Sequence, residues 1–126
     1  MTGASSIEER VIEMMLAGSN DERIKYLHDQ MRSAAVVKRT FTGYGFFTDF
    51  SVPDMCAPIP GEPSSHLSNV LGASPNLQLP IGFVLFIKRG RLSQLEAHTY
   101  DEPWPSDLGE ITLAYAPEGA GSAELG

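Results

Sequence analysis

The residue types best suited to chemistry are concentrated in the segment 92–99. If this segment is a β-strand, its side chains alternate between two faces, and one face holds Leu92, Gln94, Glu96 and His98. Glu96 and His98 are then near neighbours. A carboxylate beside an imidazole is a pair that enzymes use to transfer protons. This pair is therefore the first candidate for a functional site.

The pair Glu96 and His98 also has two other interpretations. With a third ligand such as Asp49 or His66, a carboxylate and an imidazole can bind a metal ion. Alternatively, the pair is structural and bridges to Lys38 or Arg39 on a neighbouring strand. Because the E-x-H spacing is common by chance, the structural interpretation is favoured, and no catalytic residue and no metal ligand is predicted.

Asp49 interrupts the aromatic stretch 46–50, so it faces either solvent or a partner inside a cleft. A buried aspartate needs a hydrogen-bonded or charged partner, and Arg39 on the adjacent strand is the natural one. We therefore expect a structural pair of Asp49 and Arg39, with a functional site as the alternative.

Aromatic residues accumulate near the predicted turns. Amphipathic rings at such positions anchor a partner or line a small-molecule pocket, and they also plug the ends of sheets. Two prolines flank Trp104 and fix the direction in which it projects. The candidate residues for binding a ligand or a partner are Tyr44, Phe47, Asp49, Glu96, His98, Tyr100 and Trp104.

Charge narrows the class of partner. Nine basic and sixteen acidic residues give a net charge of −7, so phosphate backbones and anionic membranes repel the chain. We expect neither nucleic acid nor a membrane as a partner. After Arg91 the chain has acidic residues and no lysine or arginine, which favours solubility and leaves a basic protein partner open.

Cysteine usage and the N-terminus favour a cytoplasmic protein. Cys56 is the only cysteine, so no disulfide can form within the chain. Residues 1–6 lack the basic and apolar parts of a targeting signal, and no apolar run is long enough to span a membrane. No P-loop, dinucleotide fingerprint or G-x-S-x-G motif occurs, so no cofactor is predicted.

Two amphipathic helices are predicted at the N-terminus. The first spans 6–16, with Ser6 and Glu9 as a capping box and Gly18 as its stop. The second follows almost at once and ends near Arg32.

Antiparallel strands follow the helices. The segment 83–87 is apolar at every position, which predicts a central strand covered on both faces. The segment 53–63 is rich in proline and is predicted to be a surface loop. The predicted strands are 36–41, 44–51, 66–71, 83–87, 92–99 and 111–115, with turns at Thr42–Gly43 and Arg89–Gly90 closing two hairpins.

This order of elements predicts a single α+β domain over residues 1–126. Its two N-terminal helices pack on one face of an antiparallel β-sheet of about five or six strands. Residues 1–5 and 117–126 are expected to fray.

Three stretches of the chain together resemble a group of small uncharacterised bacterial proteins. They are Thr42-Gly43-Tyr44-Gly45-Phe46-Phe47-Thr48, then the segment 82–96 with its GFVLFI run, Gly90, Leu92 and Leu95-Glu96, and then Tyr100 with Pro103-Trp104-Pro105. The resemblance covers about the C-terminal two-thirds of the chain and implies a bacterial, cytoplasmic protein with a shared fold. It assigns no activity and no functional residue.

The sequence therefore favours a non-enzymatic protein-interaction module. One version is an immunity-like protein that neutralises a partner, by analogy of size, acidity and build, and a homodimer is a further option. The alternative is a small-molecule or metal-binding domain, or a minor enzyme. Its pocket would be walled by Tyr44, Phe47 and Trp104, with polar groups from Asp49, Glu96 and His98.

Overall fold

The computed structural model describes all 126 residues and has two helices and an antiparallel sheet of seven strands. This confirms the predicted α+β class, with more strands than the five or six expected. The elements are α1 (Ser6–Ala17), α2 (Ile24–Ser33), β1 (Ala35–Phe41), β2 (Gly45–Ser51), β3 (Ser65–Leu67), β4 (Val70–Ala73), β5 (Ile81–Lys88), β6 (Arg91–His98) and β7 (Thr112–Tyr115).

The sheet has the strand order β1-β2-β6-β5-β4-β7, and β3 also pairs with β5. The single strand predicted over 66–71 is in fact two strands, β3 and β4. Leu67 and Val70 are both fully buried, although an odd and an even position of one strand would face opposite sides. The break at Ser68 and Asn69 therefore allows both side chains to enter the core.

Both predicted hairpins are present. Arg89 and Gly90 have φ angles of 51° and 76°, as a two-residue turn between twisted strands requires. Gly90 also approaches the proline-rich loop, because a Cβ there would lie 2.8 Å from the Ile59 backbone. Its amide donates a hydrogen bond to the Pro63 carbonyl (2.8 Å), so the tip of the hairpin is tied to the loop.

The core lies between the helices and one face of the sheet. Val11, Met15 and Leu27 contribute from the helices, and Leu85 and Leu95 contribute from the two central strands. The expected covering of β5 on both faces is wrong. Ile81, Phe83, Leu85 and Ile87 are buried, whereas Val84 and Phe86 on the other face are only partly buried because no second layer packs there.

Two polar side chains inside this core are held by hydrogen bonds. The side chain of Gln30 donates to the carbonyls of Ala57 (3.0 Å) and Gly90 (2.9 Å) and accepts from the amide of Leu92 (2.9 Å). Gln30 is fully buried, and both its amide hydrogens and its amide oxygen are hydrogen-bonded, so α2 is fixed to the β5–β6 hairpin. Asn69 donates from Nδ2 to the carbonyl of Met15 (3.1 Å).

The N-terminal cap of α1 differs from the prediction by one residue. The capping box is formed by Ser5 and Glu8, not by Ser6 and Glu9. Glu8 Oε1 accepts from the Ser5 amide at 2.7 Å, and the Glu8 amide donates to Ser5 Oγ at 3.2 Å. Glu8 takes this role because its carboxylate has further partners on the sheet.

The expected pair of Asp49 and Arg39 is not formed. Arg39 donates to Glu8 through Nη2 (2.6 Å) and Nε (3.1 Å), and Thr48 donates to the same carboxylate. A bulge at Val37 shifts the register, so Arg39 lies opposite Thr48 on the helix side of the sheet and Lys38 lies opposite Asp49.

The chain ends expected to fray are attached to the rest of the structure. Thr2 forms a bridge to Ala35 at the edge of the sheet. Leu125 is fully buried, and the Ser68 amide donates to the Ser122 carbonyl at 2.7 Å. Arg23 also donates to the Leu125 carbonyl (3.0 Å), so the C-terminal segment packs against the start of α2. None of the helices has the length and apolar character needed to cross a membrane.

The buried Glu8 carboxylate makes stability depend on pH. Burial raises its pKa, but hydrogen bonds from Arg39, the Ser5 amide and Thr48, together with the charge of Arg39, outweigh burial and lower the pKa of Glu8 overall. Because the pKa is lower in the folded state, the stabilisation is present at neutral pH and is lost as the pH falls through the folded pKa.

We therefore expect Glu8→Gln to lower the free energy of unfolding by about 2 kcal/mol at pH 7, since it leaves Arg39 without its charged partner. The difference from the unmodified protein should shrink as the pH falls below the ordinary range for glutamate and through the lowered pKa of Glu8, because that carboxylate then becomes protonated itself. Urea unfolding at several pH values measures both effects. Glu13→Gln, at an exposed position of α1, is the matched control, and an equal loss of stability in the two variants would contradict the assignment.

Candidate functional site

The sheet surface opposite the helices, here called the open face, carries most of the residues selected from the sequence. Phe47 and Asp49 from β2 lie beside Glu96 and Gln94 from β6, and these lie in turn beside Val84 and Phe86 of β5. Side chains of both central strands therefore meet on a surface that no helix covers. The open face comprises Phe47, Asp49, His66, Val84, Phe86, Gln94, Glu96 and His98.

Leu92 does not belong to the open face, contrary to the alternation expected for 92–99. A register shift between Phe86 and Ile87 places Gln94 opposite Phe86 and Leu92 opposite Ile87, so one residue of β6 is unmatched. This bulge turns Leu92 into the core, where it is 2% exposed. Gln94, Glu96 and His98 keep the shared face that the sequence predicted.

Glu96 and His98 are neighbours, and Tyr100 joins them. His98 Nδ1 lies 3.1 Å from Glu96 Oε2, and His98 Nε2 lies 3.0 Å from the Tyr100 hydroxyl. The first contact has the distance of an ion pair without the alignment of a hydrogen bond, so Nδ1 is buried with no hydrogen-bond partner. The expected bridge from this pair to Lys38 or Arg39 is absent, because Arg39 faces the helices and pairs with Glu8.

Two glycines make room for this cluster, which we call the His98 cluster (Glu96, His98 and Tyr100). His98 is flanked by Gly45 on β2 and by Gly82 on β5. A Cβ on Gly82 would lie 2.4 Å from His98 Nε2 and 2.7 Å from the Tyr100 hydroxyl. The ring of His98 therefore lies over the bare backbone of β5.

Asp49 and His66 lie at a different place on the open face. Asp49 accepts a hydrogen bond from Gln94 Nε2 (2.8 Å), and the His66 ring packs at 6.4 Å from the Phe86 ring. They line a shallow groove of about 660 Å³. Gln94 is four residues from His98 along β6, or about 13 Å in an extended strand, so Asp49 and His66 cannot join the His98 cluster in one metal site.

No group of three histidine, cysteine, aspartate or glutamate side chains is arranged to hold a metal ion.

The aromatic candidates converge on one end of the sheet. The Tyr44 carbonyl accepts from the Thr99 amide (2.8 Å), and the Trp104 amide donates to the Gly43 carbonyl (2.8 Å). Trp104 packs edge-on against Phe46 on the helix side, with ring centroids 5.6 Å apart. Phe47 points to the open face, so Trp104 and Phe47 are on opposite sides of the sheet and do not wall one pocket.

Phe41, Tyr44 and Tyr100 are exposed at this end of the sheet, with 72%, 57% and 46% of their surface accessible. We call these three residues the aromatic end. Phe41 was not selected from the sequence, where it was only the last residue of a predicted strand. Gly82 was also missed, although a glycine inside an apolar strand indicates the close approach of another group.

Comparisons with known proteins give no further guide, because no protein-family model, no curated protein and no solved structure matches this chain. The class defined by the fold is a small α+β protein with helices on one face of an antiparallel sheet and a polar and aromatic surface on the other. The site is therefore interpreted from its own geometry.

The role of Gly82 is directly testable. Alanine in a strand is normally favoured over glycine, but here its methyl group overlaps His98 and Tyr100, so we expect Gly82→Ala to destabilise the protein by about 1–3 kcal/mol. Chemical denaturation measures the loss. The double variant Gly82→Ala/His98→Ala should lose less than the sum of the two single variants, because one partner of the overlap is removed. Additive losses would show that the His98 ring does not lie over Gly82.

Proposed function

We propose that this chain is a non-enzymatic protein-interaction module that binds a basic protein through its aromatic end. The observation that carries the proposal is the exposure of Phe41, Tyr44 and Tyr100 at one end of the sheet. Aromatic side chains, tyrosine above all, are enriched among the residues that contribute most binding energy at protein interfaces. Three exposed aromatic residues at one end of the sheet, with Phe41 beside Phe46 on the helix side and Tyr100 beside His98 on the open face, therefore support a docking surface at this end.

The charge around the aromatic end supports the chemistry of the partner. Asp101 and Glu102 follow Tyr100 directly, and the segment after Arg91 contains no lysine or arginine. An acidic rim around aromatic anchors attracts a basic surface and speeds its association. The same charge, with the net value of −7, disfavours nucleic acid and anionic membranes as partners.

The backbone beneath the aromatic end is held in place before any partner binds. The Thr99 hydroxyl donates to the Tyr44 carbonyl (3.1 Å) and also contacts the Glu102 carbonyl. The Trp104 amide ties the next turn to Gly43. A surface fixed in this way loses little conformational entropy on binding, which favours affinity.

The biological setting is part of the proposal. The resemblance to small bacterial proteins and the single cysteine support a bacterial, cytoplasmic protein, and acidity and size support an immunity-like role in which a basic toxin is neutralised. A homodimer through the aromatic end is the other version of the same interface.

The interface is tested by placing a photo-cross-linking residue at position 44 and, as the control, at position 115 on the opposite edge strand of the sheet. Tyr44 and Tyr115 are similarly exposed, at 57% and 50%. We expect a basic protein to be captured from position 44 and not from position 115. Self-capture from position 44, with a dimer in light scattering, would support the homodimer instead.

The captured protein is then purified and titrated against the chain. Phe41→Ser combined with Tyr44→Ser should weaken binding at least about 10-fold, and binding should weaken as salt is raised. Tyr115→Ser is the control and should bind as the unmodified chain. Equal affinity of the double variant and the control would contradict the proposal.

A second candidate function rests on the groove of about 660 Å³ beside Asp49. Its lining joins the Phe86 ring with the polar groups of His66, Lys88 and Gln94, which suits a small polar molecule. A ligand that binds the folded state raises its melting temperature, so a thermal-shift screen of metabolites and divalent metals tests this candidate. An increase in melting temperature that is lost in Asp49→Asn and kept in Glu13→Gln would support this second function. If no compound changes the melting temperature, the interaction module is the better-supported function.

A further inference from the structure

The His98 cluster has the order of groups found where a base activates a hydroxyl. The Tyr100 hydroxyl contacts His98 Nε2 at 3.0 Å, and His98 Nδ1 faces Glu96 at 3.1 Å. An ionised carboxylate only accepts hydrogen bonds, so it favours the imidazole tautomer with its hydrogen on Nδ1. Nε2 is then left as an acceptor for the Tyr100 hydroxyl hydrogen, so the cluster joins a phenol to a base, with a carboxylate close to the base but not hydrogen-bonded to it.

The surrounding backbone keeps these groups together. Gly82 leaves the space that the imidazole and the phenol occupy, and Thr99 holds the chain between them. Asp101, directly after Tyr100, has a φ angle of 56°, a left-handed conformation that aspartate adopts more readily than most residues with a side chain. The chain therefore turns directly after Tyr100.

We propose that Tyr100 is a nucleophilic acyl acceptor that reacts with activated, uncharged acyl esters. His98 Nε2 removes the hydroxyl proton as the Tyr100 oxygen forms a bond to the acyl carbon. The bond from that carbon to the leaving alkoxide or phenolate breaks, and the leaving group takes a proton from the imidazolium. The Glu96 carboxylate lies 3.1 Å from Nδ1 of the imidazolium. The product is an aryl ester on Tyr100 that forms once per chain. Because no catalytic turnover is involved, this reaction is compatible with the proposed role as a non-enzymatic interaction module.

The charge of the site selects this class of donor. Glu96, Asp101 and Glu102 lie in or beside the cluster, and the strand positions flanking His98 are glycines, so no lysine or arginine faces it from β2 or β5. A phosphoryl donor carries negative charges that normally require such cations. An uncharged ester meets no such repulsion.

The two other exposed tyrosines of the chain provide an internal comparison. Tyr44 and Tyr115 are 57% and 50% exposed, whereas Tyr100 is 46% exposed, so exposure alone predicts no faster reaction at Tyr100. Neither of the other two contacts an imidazole, and the Tyr115 hydroxyl donates to the Met14 carbonyl at 2.9 Å. Because the Tyr115 hydroxyl is already engaged, Tyr44 is the closer comparison, and a faster reaction at Tyr100 than at Tyr44 points to His98.

The test is to treat the folded full chain with p-nitrophenyl acetate and to follow acetylation of each tyrosine by peptide mass spectrometry. We expect the initial rate at Tyr100 to exceed the rates at Tyr44 and Tyr115 by at least about 10-fold. A rate at Tyr100 no higher than theirs would overturn the proposal.

Three variants separate chemistry from structure. His98→Ala should lower the Tyr100 rate to that of Tyr44, and free imidazole should restore part of it, which a purely structural role would not allow. Glu96→Asp, which keeps the charge, should retain more of the rate than Glu96→Gln. Circular dichroism confirms folding, and His98→Gln replaces His98→Ala if the alanine variant unfolds. An unchanged Tyr100 rate in a folded His98 variant would also overturn the proposal.

Discussion

The buried carboxylate of Glu8 is the interaction on which the rest of the structure depends. It is 1% exposed, and it accepts hydrogen bonds from Arg39 on β1, Thr48 on β2 and the Ser5 amide. A buried charge is tolerated only when its partners are complete, so α1, β1 and β2 must meet in one arrangement. The Glu8 carboxylate thereby fixes the first helix to the face of the sheet on which Arg39 and Thr48 lie.

This arrangement determines the open face as well as the core. Arg39 faces the helices and pairs with Glu8, whereas Asp49 lies on the open face and accepts a hydrogen bond from Gln94. Because both helices lie on one side, the polar side chains of β2 and β6 have no covering layer. The surface proposed for function is thus a consequence of where the helices are held.

Two glycines allow the backbone conformations and close contacts that this arrangement of helices and sheet requires. Gly90 adopts the positive φ angle that the β5–β6 turn requires, and it leaves room for the proline-rich loop. The carbonyl of Gly90 accepts a hydrogen bond from the side chain of Gln30. Gly82 has no side chain, so the His98 ring can lie over the backbone of β5 without a clash. The first glycine supports the core, and the second shapes the site.

Much of the fold was predictable from local pattern. The apolar spacing predicted both helices, and the turn residues Thr42–Gly43 and Arg89–Gly90 predicted both hairpins, because these features depend on residues close together in the chain. Period-two alternation correctly placed Glu96 beside His98. The same alternation predicted the wrong face of the sheet for Leu92 and a single strand over 66–71. A bulge in the first case and an interruption of the strand in the second change the face on which side chains lie, and neither causes a marked change in composition.

The sequence by itself determined the α+β class, the adjacency of Glu96 and His98, and the acidic character of the C-terminal third. Only the tertiary structure decided that Arg39 pairs with Glu8 rather than Asp49, that Leu125 is buried, and that His98 lies over Gly82. The physical reason is range. Periodicity and turn chemistry act over a few residues, whereas these contacts join segments whose register and packing are set by the whole core.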